Sequence, residues 1–329
     1  MIIKHRSKPR IILQLEALLQ RLPDYHPKLP IINEDYTKRM AGYKGEQSID
    51  YPLSYLNDHT FFIFHNLRLK TEKHYFQMDT LLLTHKMAII LEVKNFSGTI
   101  HFDPKFKQLI QTKDGKEVAY SYPLTQVDRQ KLNFQEWLRI NKVENLEIHS
   151  LVVISNPYTI ISTSPGNYHT HHKVIHKEEL PTKIYELEKS SGSNKMEERT
   201  LKKLMKLLLK NHTEGDSTIL DRFELNDNDI LKGVFCPVCR VQLMVRLKGN
   251  WFCSECGAKD KLAHLKAIED YQLLIKPTIT NSELRDFLKI HSSDTANRLL
   301  KTLNLRSTGE TKHRMYYLDN LNQVKRKQL

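Results

Sequence analysis

Asp79, Glu92 and Lys94 bring two carboxylates and an ammonium into the apolar run FQMDTLLLTHKMAIILEVKN, residues 76–95. Unpaired charges inside a sheet are costly, so these need a partner, an ion or a chemical role. An Asp facing a Glu offers hard oxygen ligands to Mg²⁺ or Mn²⁺, ions that keep waters and substrate phosphate oxygens in their other positions. The backbone carbonyl of Val93 would be a further ligand. Such an ion polarises a scissile phosphate, lowers the pKa of a bound water and offsets charge on the leaving oxygen. Lys94 adds positive charge where a pentavalent phosphorus becomes negative, and is positioned to orient the attacking water. The structural alternative is an ion-pair cluster in a domain that binds DNA without cutting it.

The second chemical signal is C-x2-C-x13-C-x2-C, made by Cys236, Cys239, Cys253 and Cys256, with no cysteine elsewhere. Two tight pairs at this spacing supply four thiolates to one structural Zn²⁺, and the pattern points to metal in a reducing compartment rather than to disulfides. Lys248-Gly249-Asn250 reads as a turn between two strands of a zinc ribbon. Arg240, Arg246, Lys248 and Trp251 point this ribbon toward nucleic acid, through charge and through stacking on Trp251. Protein docking is its other common use. His169, His171, His172 and His176 lie in a stretch that reads as a surface loop, without cysteine or carboxylate at ligand spacing.

The elements that must hold the first group are two strands. Along MAIILEVKNF, alternation sends Ala88, Ile90, Glu92 and Lys94 to one face and Ile89, Leu91, Val93 and Asn95 to the other. Asp79 lies on the preceding strand. A two-residue turn at His85-Lys86, or a four-residue turn from Thr84 to Met87, pairs residues whose numbers sum to 171 and sets Asp79 opposite Glu92; a three-residue loop would not. Around this hairpin the pattern predicts an amphipathic helix carrying Ile12, Leu15, Leu18, Leu19 and Leu22, an extended connector at 23–30, and a helix from about Asp35 to Leu56. It further predicts strands at 60–69, 74–83, 87–96 and 146–155, a hairpin turning at Lys113-Asp114-Gly115, and a short strand near Val174. Pro123 opens a helix with Leu124, Val127, Leu132, Trp137 and Leu138 on its apolar side. Further helices are expected over about 178–189 and 195–211.

The 329-residue chain carries a formal net charge of +13, with 18 Lys and Arg against 9 Asp and Glu in residues 230–329. That excess attracts polyanions, nucleic acid above all. No run approaches the roughly 18–20 apolar residues of a membrane span, and the N-terminal helix is interrupted by Gln14, Glu16 and Gln20, so a cytoplasmic protein without membrane contact is expected. The organisation read from composition is a domain over 1–212 (core about 36–155), a linker over 213–228, a zinc ribbon over 229–258, a connecting helix over 259–276 and a basic unit over 277–329. In the last unit Leu284, Leu288, Ala296, Leu299, Leu300 and Leu303 make an apolar face on two helices, with Ser282 and Ser293 as N-cap candidates. Helix, turn, helix and basic hairpin resemble a winged helix-turn-helix, whose second helix would offer Asp294, Thr295, Asn297, Arg298 and Lys301 to a groove, with Lys312 and Arg314 on the hairpin.

D-x12-E-V-K on adjacent strands resembles the PD-(D/E)xK, or restriction-endonuclease-like, core. GYKGEQSIDYPLSYL, MDTLLLTHKMAIILEVKNFSGTI and YPLTQVDRQ narrow the resemblance to the nuclease-related domain family, over about residues 40–140. The resemblance implies a mixed α/β sheet flanked by helices, Asp79 and Glu92 on the metal, Lys94 as catalytic, and Glu46 and Gln126 completing the site. Met78, Tyr122 and Met87 depart from common family residues, and Gln130 stands where Q-x-x-x-Y nucleases have tyrosine. The expected function is a Mg²⁺- or Mn²⁺-dependent DNA endonuclease whose ribbon and winged helix hold the substrate, working with a helicase or other DNA-processing partner. The alternatives are an inactive nuclease-like DNA-binding or regulatory protein and a protein-interaction module.

Overall fold

The computed structural model describes residues 1–143, 146–192, 195–215, 218–310, 314–319 and 321. Contacts divide the chain into two units, Met1–Lys8 with Lys38–Gly215, and Pro9–Thr37 with Asp216–Leu329. In chain order the elements begin with β1 (Ile2–Lys4), α1 (Arg10–Arg21), α2 (Leu29–Gln47), α3 (Asp50–Leu53), β2 (Phe62–Lys70), β3 (Tyr75–Leu83) and β4 (Met87–Lys94). There follow β5 (Thr99–Asp103), β6 (Gln108–Lys113), β7 (Lys116–Ser121), α4 (Pro123–Ile140), β8 (Glu147–Ile154), β9 (Ile160–Thr163), α5 (Tyr168–Lys173), β10 (Val174–His176), α6 (Leu180–Ser190) and α7 (Glu198–Asn211). The rest forms α8 (Ile219–Arg222), β11 (Val234–Phe235), β12 (Leu243–Leu247), β13 (Asn250–Phe252), β14 (Lys259–Asp260), α9 (His264–Leu274), β15 (Thr278–Thr280), α10 (Asn281–Leu288), α11 (Ser293–Thr302), β16 (Ser307–Thr308) and β17 (Met315–Tyr317).

The first unit is built on a mixed sheet in the order β1-β2-β3-β4-β8-β10. β2, β3 and β4 form an antiparallel meander, and β8 runs parallel to β4. Both faces of β4 are covered, which is why it is apolar from Met87 to Leu91 before Glu92 and Lys94. Ala88 and Ile90 pack with Phe134 and Trp137 of α4 and Leu201 and Leu204 of α7. Ile89 and Leu91 pack with Leu53 of α3 and Leu180 and Ile184 of α6. A second sheet, β7-β6-β5-β9, includes the expected hairpin. Its Asp114-Gly115 turn has positive φ at both residues, 50° and 73°, the twist a two-residue hairpin needs.

Several expectations need correction. The helix expected over 35–56 begins at Leu29, because Pro30 lies in its first turn where a missing N–H is harmless, and it ends at Gln47 before the separate turn of α3. Leu132 is 66% exposed, so it leaves the apolar side of α4. Strands β5 and β9 lay outside the predicted set, and residues 168–173 form a short helix instead of a loop. The domain boundary also moves: α1 belongs to the second unit, where Leu15 and Leu18 join the core formed by Ile268 and Tyr271 of α9.

In that second unit Arg21 is buried and donates to Asp270 Oδ2 at 2.8 Å and to the carbonyls of Leu231 and Gly233, so the pair has the additional hydrogen bonds a buried ion pair requires. Strands β11–β14 form one small sheet, and β15-β17-β16 form another beside the α10–α11 pair. The N-caps are Thr280, closing a capping box with Glu283, and Ser292, one or two residues before the expected serines. Lys312 lies outside the described residues. Among the described residues no helix is long and apolar enough to cross a membrane.

Candidate active site and metal centre

The hairpin joining β3 and β4 turns through His85-Lys86, with the Thr84 N–H donating to the Met87 carbonyl at 2.9 Å. Thr80 pairs with Leu91 and Leu83 with Ala88, so paired numbers sum to 171. This even loop brings Asp79 beside the Glu92 segment: Asp79 Oδ2 accepts the Val93 N–H at 3.0 Å. Val93 thus enters the site through its amide.

Glu92 is 3% exposed and its carboxylate is held by three donors. Oε1 accepts from Lys94 Nζ at 2.7 Å and from Gln126 Nε2 at 2.6 Å, and Oε2 accepts from Gln130 Nε2 at 2.7 Å. Gln126 Oε1 in turn accepts from Lys94 Nζ at 3.0 Å. Helix α4 supplies both glutamines one turn apart, Gln126 and Gln130 sharing a face through i,i+4 spacing. The Gln130 amide also donates to the Gln77 carbonyl, while its Oε1 is buried without a partner.

Glu46 arrives from the end of α2, where Gly45 permits close approach: a Cβ there would lie 2.7 Å from Asn95 Cβ. Glu46 Oε2 accepts from Arg6 Nη1 at 3.1 Å. Arg6 was invisible to motif reasoning, since it follows β1, which reaches the site only by pairing with β2. Its side chain is 3% exposed and also donates to Asp50 and Thr80. Because Arg6 Nη2 approaches His65 Nδ1 at 2.8 Å and a guanidinium only donates, that ring nitrogen is the acceptor. Burial, with Arg6 and Lys4 nearby, lowers His65 to about 3, so the ring is neutral.

The electrostatics centre on crowded acids. Burial raises Asp79 well above the usual carboxylate range, and the charges of Glu92 and Glu46 raise it further, against the Val93 amide and Lys94. Burial also raises Glu46 to about 7; Arg6 opposes this and Glu92 adds to it. The repelling carboxylates of Asp79 and Glu92 stand on the two central strands β3 and β4, where a hard divalent cation would relieve their repulsion. Asp79, Glu92, Lys94, Glu46 and Gln126 therefore gather in one place, joined by Arg6 and Gln130.

Residues 41–155, which contain those five side chains, match the family model described as nuclease-related domain. The chain carries a nuclease-related domain. No curated protein matches the chain. Among solved structures, the crystal structure of protein VC1899 from Vibrio cholerae is similar at 12% identity and a TM-score of 0.22, covering 56% of this chain and 57% of its own.

Outside the nuclease-related domain, the four cysteines are free and their Sγ atoms all lie within 4.8 Å of one another. Cys236 and Cys256 are separated by 3.6 Å and Cys239 and Cys253 by 3.7 Å. Four sulfurs about 2.3 Å from one tetrahedral ion would be about 3.8 Å apart, so the cluster fits Zn²⁺. Each pair closes a knuckle in the same way, Arg240 N–H donating to the Cys236 carbonyl at 2.9 Å and Gly257 N–H to the Cys253 carbonyl at 3.0 Å. Burial pushes the Cys236 thiol up, but the amides of Cys239 and Val238 and the Cys256 and Cys239 thiols together outweigh it and bring it to about 6, toward the thiolate a metal needs.

Trp251 corrects the stacking expectation. Its ring is 1% exposed, and its indole N–H donates to His264 Nδ1 at 3.2 Å. No face is left for a base; the ring instead supports Arg246, whose guanidinium lies 5.2 Å from its centroid. Arg240, Lys248, Asn297, Arg298, Lys301 and Arg314 are exposed, although Asn297 Oδ1 is engaged by Asn281.

Proposed function

We propose that this protein is a divalent-metal-dependent nuclease that hydrolyses phosphodiester bonds of DNA, with its ribbon and its helix pair, read as a winged helix, engaging the substrate. The observation that carries the reading is Asp79 accepting the Val93 amide beside a Glu92 already bonded to Lys94 and Gln126. Asp79 and Glu92 would hold Mg²⁺ or Mn²⁺, with the Val93 carbonyl as a further ligand. A bound ion supplies polarisation of the phosphate, a more acidic water and compensation for leaving-group charge.

The chain's own groups divide the remaining work. Lys94, fixed by Glu92 and Gln126, presents its ammonium to a phosphate oxygen. Gln126 keeps that ammonium and the Glu92 carboxylate in register by bonding to both. Glu46 ionises near pH 7 and takes a proton from the attacking water. Cleavage is therefore expected to rise with pH through about 7 as Glu46 becomes a carboxylate, and Glu46→Gln to flatten that limb in a pH–rate profile.

Arg6 holds Glu46 at the site. Arg6→Gln leaves Glu46 and Asp50 without their guanidinium and is expected to lower stability by about 3 kcal/mol in urea unfolding, most strongly above neutral pH. The sign follows from Glu46. A carboxyl whose folded pKa is raised from 4.5 to about 7 favours folding below the unfolded value, and that contribution is lost as pH rises through the folded value.

The direct test is incubation of the full chain with single-stranded, double-stranded and branched DNA in Mg²⁺ or Mn²⁺. Cleavage that falls at least about 100-fold in Lys94→Met, with unchanged DNA retardation, supports hydrolysis. Equal retardation by both proteins and no cutting of any DNA or RNA would favour a regulatory protein on a nuclease scaffold.

A further inference from the structure

The second unit contains a cleft of about 1070 Å³ between the β12–β13 hairpin and the face of α11 that carries Thr295, Arg298 and Thr302. Arg246, Lys248, Lys261, Lys289 and Arg298 line it against one carboxylate, Asp260, whose Oδ1 is occupied by the Leu262 N–H. Among the described residues Arg246, Lys248, Lys261 and Arg298 have no carboxylate partner, whereas Lys289 pairs with Asp286 at 3.4 Å. An unpaired group of cations is costly in a free protein, and most surface lysines and arginines avoid it by spreading apart. Here they converge from two structural modules.

Arg246 is the most informative. It comes from β12, rests on the buried Trp251 ring, and has a buried Nη1 without any hydrogen-bond partner. Trp251 is itself fixed by His264, so the guanidinium is pre-organised on a rigid platform. Burial lowers Arg246, and the charge of Arg298 lowers it further, which marks the two guanidinium groups as like-charged neighbours. Arg298 donates to Thr295 Oγ1 at 3.3 Å, which holds it on the same side of α11. Lys248 stands at the hairpin tip, where Lys248 and Gly249 have φ of 46° and 85°. His264 adds no charge, since burial and Arg246 bring it to about 4.

We propose that this cleft binds the phosphate backbone of a DNA strand, with Arg246 and Arg298 closing on one phosphate from the ribbon and the helix. Ribbon and helix pair then act as one clamp, not as two independent DNA contacts. A phosphate is the ligand that fits: it relieves the guanidinium repulsion and offers oxygens to two forks at once. The open cleft and the lysines on either side favour a continuous strand over a small anion.

The proposal rests on the reading that the chain works on nucleic acid, but it is measured as binding without added Mg²⁺ and with zinc retained, so a protein that cannot cut still answers it. Binding of a fluorescein-labelled DNA duplex by the full chain is titrated against salt. Arg246→Gln and Arg298→Gln are each expected to weaken binding about five- to tenfold and to reduce the salt slope by about 1. The double variant should fall short of the product of the two losses, because both side chains serve one phosphate. Lys203→Gln, exposed on α7 of the first unit, should change affinity less than about twofold. Zinc content and thermal unfolding report folding; should Arg246→Gln fail to fold, the exposed Lys248→Gln and Arg298→Gln carry the same test.

Loss of binding in Lys203→Gln with none in Arg246→Gln or Arg298→Gln would overturn the cleft in favour of the first unit. Fully multiplicative losses would overturn the shared phosphate. Competition by inorganic phosphate or a nucleoside triphosphate only at millimolar concentration fits a strand backbone; displacement of the duplex by the triphosphate at micromolar concentration would make this a nucleotide site instead. DNA binding that depends on the cleft, in a protein that cuts nothing, removes the nuclease reading and leaves the clamp intact.

Discussion

Asp79→Asn is expected to reduce cleavage by at least about 10³-fold and, at the same time, to raise the stability of the Mg²⁺-free protein by about 1–2 kcal/mol near pH 8. The two signs differ because, in the proposed function, the group serves an ion rather than the fold. Burial and the charges of Glu92 and Glu46 all disfavour its ionised form. Asparagine keeps an oxygen for the Val93 N–H, which Asp79 holds at 3.0 Å, and removes the repelling charge. For a carboxyl raised in the folded state, the favourable contribution is present at low pH and is lost as pH rises through the folded pKa, so the gain should shrink toward acid conditions. Urea unfolding of both proteins at about pH 5 and about pH 8 measures it. A structural ion-pair cluster predicts the reverse, destabilisation on losing Asp79 and no change in any cleavage.

The second large effect concerns zinc. Removing the metal with a chelator, or replacing Cys253 by Ser, is expected to unfold the ribbon, since structural zinc contributes on the order of 10 kcal/mol to modules of this kind. The chain has two tryptophans, Trp137 in the first unit and Trp251 in the ribbon, and both are buried. In a Trp137→Phe background, emission should shift to the red on chelation and return when zinc is restored. The nuclease-related domain has its own core and should keep its fold, so a Trp251→Phe background should show little shift. A red shift of Trp137 of equal size would mean that the ribbon metal supports the first unit as well.

The β3–β4 hairpin was legible in the sequence because two constraints agree there. Alternation assigned Glu92 and Lys94 to one face, and an even loop at His85-Lys86 was the arrangement that also brought Asp79 alongside. The cysteine spacing was equally direct, since four thiols at that separation have few other arrangements. Arg6 could not be read: it is remote in sequence and reaches Glu46 only through the parallel pairing of β1 with β2. Gln130 shares a face with Gln126, but nothing in the sequence distinguishes an amide that bonds to Glu92 from one that faces water. The placement of α1 failed for a related reason, because an amphipathic helix announces that it will be buried without saying against what. Trp251 carries the same ambiguity: an aromatic among arginines fits a nucleic-acid contact and a buried support equally well, and here it is the buried support.

Uptake of Mn²⁺ by the zinc-loaded full chain, followed by electron paramagnetic resonance, addresses the carboxylate pair without depending on the choice of nucleic acid. One bound ion per chain, lost when Glu92 is replaced by Gln while the fold and the zinc are retained, is the predicted result. Undiminished uptake in that variant, or none in the wild-type chain, would contradict a metal-assisted site at these two acids.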